Sequence, residues 1–415
     1  MNMEPGLNVI SVILLLTVGQ GLFLSYLLYF SKGSFRQANL FLSLLVLVFS
    51  YMLFDAFMKV SMYYFEFPHL IGIHCANNYL YGPLLYFYVR NMTQRPAAFF
   101  SLRDFWHFLP FVISIIRYMP YYFSEEQQKI DEWVNNMASL TDAGYEWSIS
   151  WSKIMHLIHI TGYLLFNISL TSKHRVNIKN EYSNIEKRNL CWLQNVLWLL
   201  SALLIVALIR HTVPPSQVNL LLFDNILNLS IAIVIYFLGF MAIHQPQIFT
   251  APNRGTRDES HSKNNNFESD VGPELFKPDL VRPKVKYQNT NVTDALAEDI
   301  NRQLLVQMKS AKLYQQNDLS LTSLAEILEV SPHALSQVIN ESLNCNFYDF
   351  VNSYRIKEAL RLLELPDKKL SILDIAMEVG FNSKSSFYTA FKKNVGLTPS
   401  QYRKQKSPKV LATEQ

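Results

Sequence analysis

Residues 375–393 read Ile375-Ala376-Met377-Glu378-Val379-Gly380-Phe381-Asn382-Ser383-Lys384-Ser385-Ser386-Phe387-Tyr388-Thr389-Ala390-Phe391-Lys392-Lys393. The small Ala376 lets two helices cross closely, and Gly380 supplies the positive φ that a sharp turn between them needs. Phe387 and Phe391 stand at i, i+4, so they form one buried stripe on the helix after the turn. The same order recurs about 51 residues earlier: Leu324-Ala325, a turn at Val330-Ser331, then Leu335 and Ile339 at i, i+4. Two helix-turn-helix units in tandem imply a domain that binds DNA.

Working outward, Thr293-Asp294 can cap a helix running to about Lys312 that packs against the first unit. Phe347 to Leu365 reads as a connecting helix, with Tyr354, Ala359, Leu362 and Leu363 inward. Its length of about 28 Å is close to the ~34 Å between successive major-groove faces. The recognition helices are expected to begin at Ser331-Pro332 and Asn382-Ser383, where Pro332 loses no intrahelical hydrogen bond. With the apolar stripes buried, His333, Ser336, Gln337 and Asn340 face outward in the first unit. Lys384, Ser385, Tyr388, Thr389 and Lys392 do so in the second. Together with Ser331, Asn382, Ser383 and Lys393 these are the candidate DNA-contacting residues, Gln towards adenine and Lys towards guanine. For any one of them, a solvated helix face is the alternative.

The two units carry unequal charge. Residues 317–350 hold no Lys or Arg and five acids, whereas residues 351–406 hold eleven bases and five acids. Because phosphate neutralisation supplies most non-specific affinity, the second unit is expected to anchor the domain and the first to discriminate bases.

Across residues 293–403 the chain resembles the DNA-binding domain of the AraC/XylS family of bacterial transcription regulators. The resemblance rests on Leu321, Leu324-Ala325, Ser331, Leu335-Ser336, Phe347, Arg355, Ala359, Leu362-Leu363, Ser371-Ile372, Ile375-Ala376, Gly380-Phe381, Phe387, Phe391-Lys392-Lys393, Gly396, Pro399 and Tyr402-Arg403. Where the family has glycine shortly before Phe347, this chain has Asn344, which also tolerates the left-handed conformation. Its first recognition helix carries Gln337 and Asn340 where basic residues are common. The resemblance implies a structural role for Arg355, paired within the domain.

The remaining sequence is of a different kind. Half of the 415 residues are hydrophobic, and the long apolar runs lie before Ile243. A net charge of +4 is too mild to identify a nucleic-acid binder. Cys75, Cys191 and Cys345 are too scattered for a disulfide framework or a zinc site. Seven stretches read as membrane helices: 7–30, 39–58, 69–89, 104–120, 150–171, 190–210 and 218–243. The first lacks a preceding basic residue and is too long for a cleavable signal peptide. The fold expected is therefore all-α: a seven-helix transmembrane domain (1–249), a flexible linker (250–291), a tandem helix-turn-helix domain (292–406) and a tail (407–415).

If the DNA-binding end is cytoplasmic, seven spans place the N-terminus outside. The inside loops then hold ten basic residues against four outside, which is the positive-inside bias. The longest outside loop, 121–149, is acidic and aromatic, either a collar at the membrane surface or a ligand-sensing lid. Gly82-Pro83 is expected to kink the third span, in a stretch (79–88) that loosely resembles the membrane half of seven-span AraC-type regulators. Polar residues within the spans should face the bundle interior. Asn77, Asn78, His156, His159 and Asp224 are the candidate sensing residues; the two histidines share a helix face, without the acidic partner of a metal site.

The function these features imply is a DNA-binding transcription regulator anchored in the bacterial inner membrane, coupling a signal there to transcription. Its expected partners are promoter DNA, the lipid bilayer and a signal ligand, with a homodimer and RNA polymerase as further candidates and no cofactor or metal. The competing reading is a transporter or membrane enzyme with a fused regulatory domain. Against it, the sequence has no nucleophile elbow, phosphate loop, paired catalytic carboxylates or obvious inverted repeat. Release of the DNA-binding part by cleavage of the linker is a third possibility.

Overall fold

A computed structural model describes residues 4–31, 36–93, 101–139, 151–186, 188–212, 220–244, 293–365 and 370–406. The described residues are helical, apart from turns and one isolated antiparallel bridge between Tyr182 and Ser320. The expected linker at 250–291 and the tail at 407–415 lie outside them. The chain divides into two compact units, one of Met1–Arg175 with Leu190–Pro252, the other of Val176–Asn189 with Asn253–Gln415.

The first unit contains α1 (Val9–Tyr29), α2 (Arg36–Val60), α3 (Tyr81–Thr93), α4 (Leu109–Tyr122), α5 (Glu126–Ser139), most of α6 (Trp151–Glu181), α7 (Cys191–Thr212) and α8 (Leu220–His244). Among the described residues, four helices are long and apolar enough to cross a membrane: Val9–Tyr29, Arg36–Val60, Ile154–Glu181 and Cys191–Ile209; a shorter apolar stretch, Leu222–Leu238, lies in α8. Asn8 caps α1, accepting from Ser11 N at 2.9 Å while Ser11 Oγ accepts from Asn8 N at 2.8 Å. Small residues then bring α1 against α2: Ser25 Oγ donates to Ser43 O at 3.0 Å, and Ser43 Oγ to Ser25 O at 2.8 Å. Such short-side-chain contacts are how apolar helices associate where lipid removes the hydrophobic drive.

Two of the seven expected spans are not continuous helices. Residues 69–89 break into short 3-10 turns before α3, because Pro68 and Gly72, at φ +85°, interrupt the path. Pro83 consequently lies in the first turn of α3, where its missing N–H costs no intrahelical hydrogen bond. Residues 104–120 divide between a 3-10 segment, Leu102–Phe108, and the 14-residue α4. At about 1.5 Å per residue, α3 and α4 are each shorter than the roughly 30 Å of a hydrocarbon core. Part of the expected outside loop forms α5, where Trp133 is buried with its ring 5.6 Å from Tyr64 and 5.2 Å from Phe65. That tryptophan is a packing residue, not part of a surface collar.

The second unit contains α9 (Asp294–Ser310), α10 (Leu321–Ile327), α11 (Pro332–Gln337), α12 (Phe347–Glu364), α13 (Ile372–Glu378), α14 (Lys384–Val395) and α15 (Pro399–Lys406). Thr293 begins α9 as expected, though its side chain makes no capping hydrogen bond. Two apolar cores share α12. Phe347, Phe350 and Val351 pack with α9, α10 and α11; Ile356, Ala359, Leu362 and Leu363 pack with α13 and α14.

Candidate DNA interface

The repeat seen in the sequence is reproduced in backbone hydrogen bonds 51 positions apart. Ser320 and Ser371 cap α10 and α13 through capping boxes with Ser323 and Asp374. Each helix closes alike: Val330 N donates to Ala325 O at 3.0 Å, and Phe381 N to Ala376 O at 2.9 Å. Within both turns one residue takes positive φ, Glu329 at 54° and Gly380 at 100°. Serine then starts each recognition helix. Ser331 Oγ accepts from Ala334 N at 3.1 Å, and Ser383 Oγ from Ser386 N at 3.2 Å. The cap of α14 is Ser383 alone, with Asn382 exposed one residue before it.

Leu335, Ile339, Phe387 and Phe391 are all fully buried, as their spacing predicts. The outward sets differ between the units. In the first, α11 ends at Gln337 and a π-turn, Val338–Ser342, follows. Gln337 Nε2 donates to Glu341 Oε2 at 2.9 Å and Asn340 Nδ2 to Ser336 Oγ at 3.2 Å, so these amides are engaged locally; His333 is exposed. Asn344 takes φ 49°, the left-handed conformation expected of it.

In the second unit Lys384, Ser385, Thr389 and Lys392 are exposed on the 12-residue α14. Two of its candidates are turned to internal tasks. Tyr388 Oη lies 3.0 Å from Ser400 Oγ on α15, and Lys393 Nζ donates to Asp349 Oδ1 at 2.6 Å.

Arg355 joins the two halves, and sequence reasoning underestimated it. It is fully buried between the cores. Nε donates to Tyr314 O at 2.7 Å and one terminal nitrogen to Gln316 O at 2.7 Å, while the guanidinium lies 5.4 Å over the Phe381 ring. Ser183 completes its shell, accepting through O at 3.3 Å and Oγ at 3.2 Å. These acceptors, with Asn352 Oδ1 at 3.2 Å, are neutral oxygens, and burial pushes the Arg355 pKa down to about 10. Gly380 closes the same joint: a Cβ there would meet Tyr314 O at 2.7 Å and Gln315 O at 2.8 Å.

Residues 324–405 match a family model described as a helix-turn-helix domain. The C-terminal unit carries an AraC-type helix-turn-helix domain. An uncharacterised HTH-type transcriptional regulator of Staphylococcus aureus (strain COL) is 40% identical over 92 residues, 22% of this chain and 12% of its own length. The uncharacterised HTH-type transcriptional regulator YtdP of Bacillus subtilis (strain 168) is 27% identical over 128 residues, 31% of this chain and 15% of its own length. This chain thus spans less than a sixth of these relatives. A solved structure, the C-terminal domain of AraT, a response regulator from Geobacillus stearothermophilus, is 33% identical, covering 28% of this chain and 88% of that one at a TM-score of 0.23.

Three of the five candidate sensing residues come together in the first unit. Asn78, His156 and Asp224 line a cavity of about 460 Å³, with an apolar wall that includes Phe49, Leu157 and Leu204. Asn77 and His159 are not among its lining residues; His159 sits between the rings of Tyr79 and Tyr163, at 5.3 and 4.9 Å. An ionic cluster that sequence reasoning did not assemble also borders the cavity. Buried Asp55 lies 2.5 Å from Lys59 Nζ and 2.8 Å from His74 Nδ1, and accepts from the Tyr64 hydroxyl.

Proposed function

We propose that the protein is a membrane-anchored transcription regulator whose AraC-type domain reads promoter DNA with α11 and α14 in successive major grooves. The observation that carries this reading is the second recognition helix. Its aromatic stripe is buried while Lys384, Ser385, Thr389 and Lys392 are exposed along the opposite side, which suits phosphate and base-edge contacts. The 18-residue α12 between them, about 27 Å long, is close to the ~34 Å between successive major-groove faces and supports this docking.

The long apolar helices support insertion in the inner membrane of a bacterial cell, with the C-terminal domain cytoplasmic. The positive-inside count supports that orientation. So does chain connectivity: residues 176–189, expected on the inside, are built into the DNA-binding unit. The cavity, with an apolar wall and a charged end, suits a small lipid-soluble molecule bearing a polar head as the signal.

Genome-wide occupancy of the intact chain tests the whole reading. Discrete peaks should appear, vanish with Lys384→Ala/Lys392→Ala, and change in strength with the cavity-filling Leu157→Trp. Absence of peaks under every growth condition overturns the DNA-binding role; peaks indifferent to Leu157→Trp overturn the role of the cavity.

A further inference from the structure

The DNA-binding unit contains a segment that its own sequence motif does not predict, Val176–Asn189. In the chain this segment joins α6 to α7. It is stitched to both helix-turn-helix units. Ser183 N and Oγ both donate to Leu319 O, at 3.1 and 2.7 Å, beside the Tyr182–Ser320 bridge at the start of α10. Ser183 also supplies two of the acceptors of buried Arg355. Arg188 packs over the Tyr182 ring at 3.9 Å, folding the segment back on itself. Three residues beyond Ser183, Glu186 then accepts a hydrogen bond from the Ser383 hydroxyl, the N-cap of the second recognition helix.

That last contact sets a carboxylate at the N-terminal end of α14. A helix N-terminus carries unsatisfied N–H groups and partial positive charge, so it draws an anion. The Ser383 hydroxyl has one proton, and its lone pair already accepts from Ser386 N. It can donate to Glu186 or to a phosphate oxygen, but not to both.

We propose that residues 176–189 form an internal latch on the DNA-binding unit, in which the Glu186 carboxylate competes with a DNA phosphate for the start of α14. This rests on the reading of α14 as a recognition helix. The latched form binds DNA weakly; lifting Glu186 away removes both the competitor for Ser383 and a negative charge from the phosphate's path. Ser183 is the pivot, since its contacts to Leu319 and Arg355 belong to the folded core, whereas Glu186 is exposed. Because the segment is continuous with α6 and α7, a displacement of either helix is transmitted to Glu186 through the chain itself.

The test uses full-length protein in lipid nanodiscs and a short random-sequence duplex at low salt, since a backbone contact needs no operator. Glu186→Gln should tighten binding roughly three- to tenfold, the range of a charge at a helix end, with an unchanged melting temperature because the site is exposed. In a Ser383→Ala background the same substitution should give less than about half that gain, since the shared hydroxyl is gone. Equal or weaker binding by Glu186→Gln in the Ser383 background overturns the latch and leaves the recognition helix standing. Failure of wild type and all variants to bind at any salt concentration overturns the recognition helix itself.

Discussion

The two helix-turn-helix units have nearly the same backbone and very different surfaces. Their first-helix caps and closing hydrogen bonds coincide at an offset of 51 residues, and their recognition-helix caps and buried i, i+4 pairs at 52. Beyond the turns they part. The first continues as a six-residue helix into a π-turn, its amides engaged with their own neighbours; the second runs 12 residues and exposes lysines at both ends. The two units share the serine caps and the alanine that accepts the closing hydrogen bond, and differ in the residue at the turn and in those that face outward. This division suits an anchoring unit beside a discriminating one.

The sharpest way to break the comparison is at the joint the two units share. Arg355→Met should cost about 3–5 kcal/mol, because it strips four buried carbonyl and hydroxyl acceptors of their donor. Calorimetry of the full chain should show the C-terminal transition falling while that of the first unit stays. A change below 1 kcal/mol would mean that water replaces the guanidinium and that the units are joined elsewhere.

The next effect separates the two turns. Gly380 and Glu329 occupy equivalent positions, yet only Gly380 abuts the Tyr314 and Gln315 carbonyls. Gly380→Ala should therefore cost about 2–4 kcal/mol, combining positive-φ strain with a clash against backbone that cannot retreat. Glu329→Gly, relieving an L-residue at φ 54°, should instead stabilise by about 0.5–1 kcal/mol. Equal and opposite small shifts in chemical-denaturation midpoints would refute the asymmetry.

How much of this was legible in the sequence follows from how local each signal is. The turn at Gly380, the serine caps and the buried Phe387 and Phe391 depend on spacings of a few residues, and the structure has them where the pattern puts them. Hydropathy counts apolar residues but does not register how Pro68 and Gly72 divide residues 69–89 into turns, so the expected third span dissolves. Tyr388 reads as outward from helical period and Lys393 as a DNA-contact candidate; their partners, Ser400 and Asp349, are on another helix or distant in sequence. The contact of Ser183 with Arg355 spans 172 residues, and no local pattern announces it.

The smallest effect sharpens the division of labour. Lys384 and Lys392 are exposed cations on α14, whereas Gln337 donates to Glu341 in a unit without Lys or Arg over residues 317–350. Lys384→Ala or Lys392→Ala should each weaken binding to all duplexes by about tenfold at low salt and reduce the salt slope by about one. Gln337→Ala should change affinity for random duplex by less than about twofold, yet relax preference at one base pair of the operator by about 1–3 kcal/mol. To read a base, Gln337 has to exchange Glu341 for adenine, so the loss of its contact is felt only where adenine is offered. Salt-dependent anisotropy on operator and random duplexes distinguishes the two patterns. A larger loss on random duplex for Gln337→Ala than for the lysine variants would reverse the assignment, making the acidic first unit the anchor despite its charge.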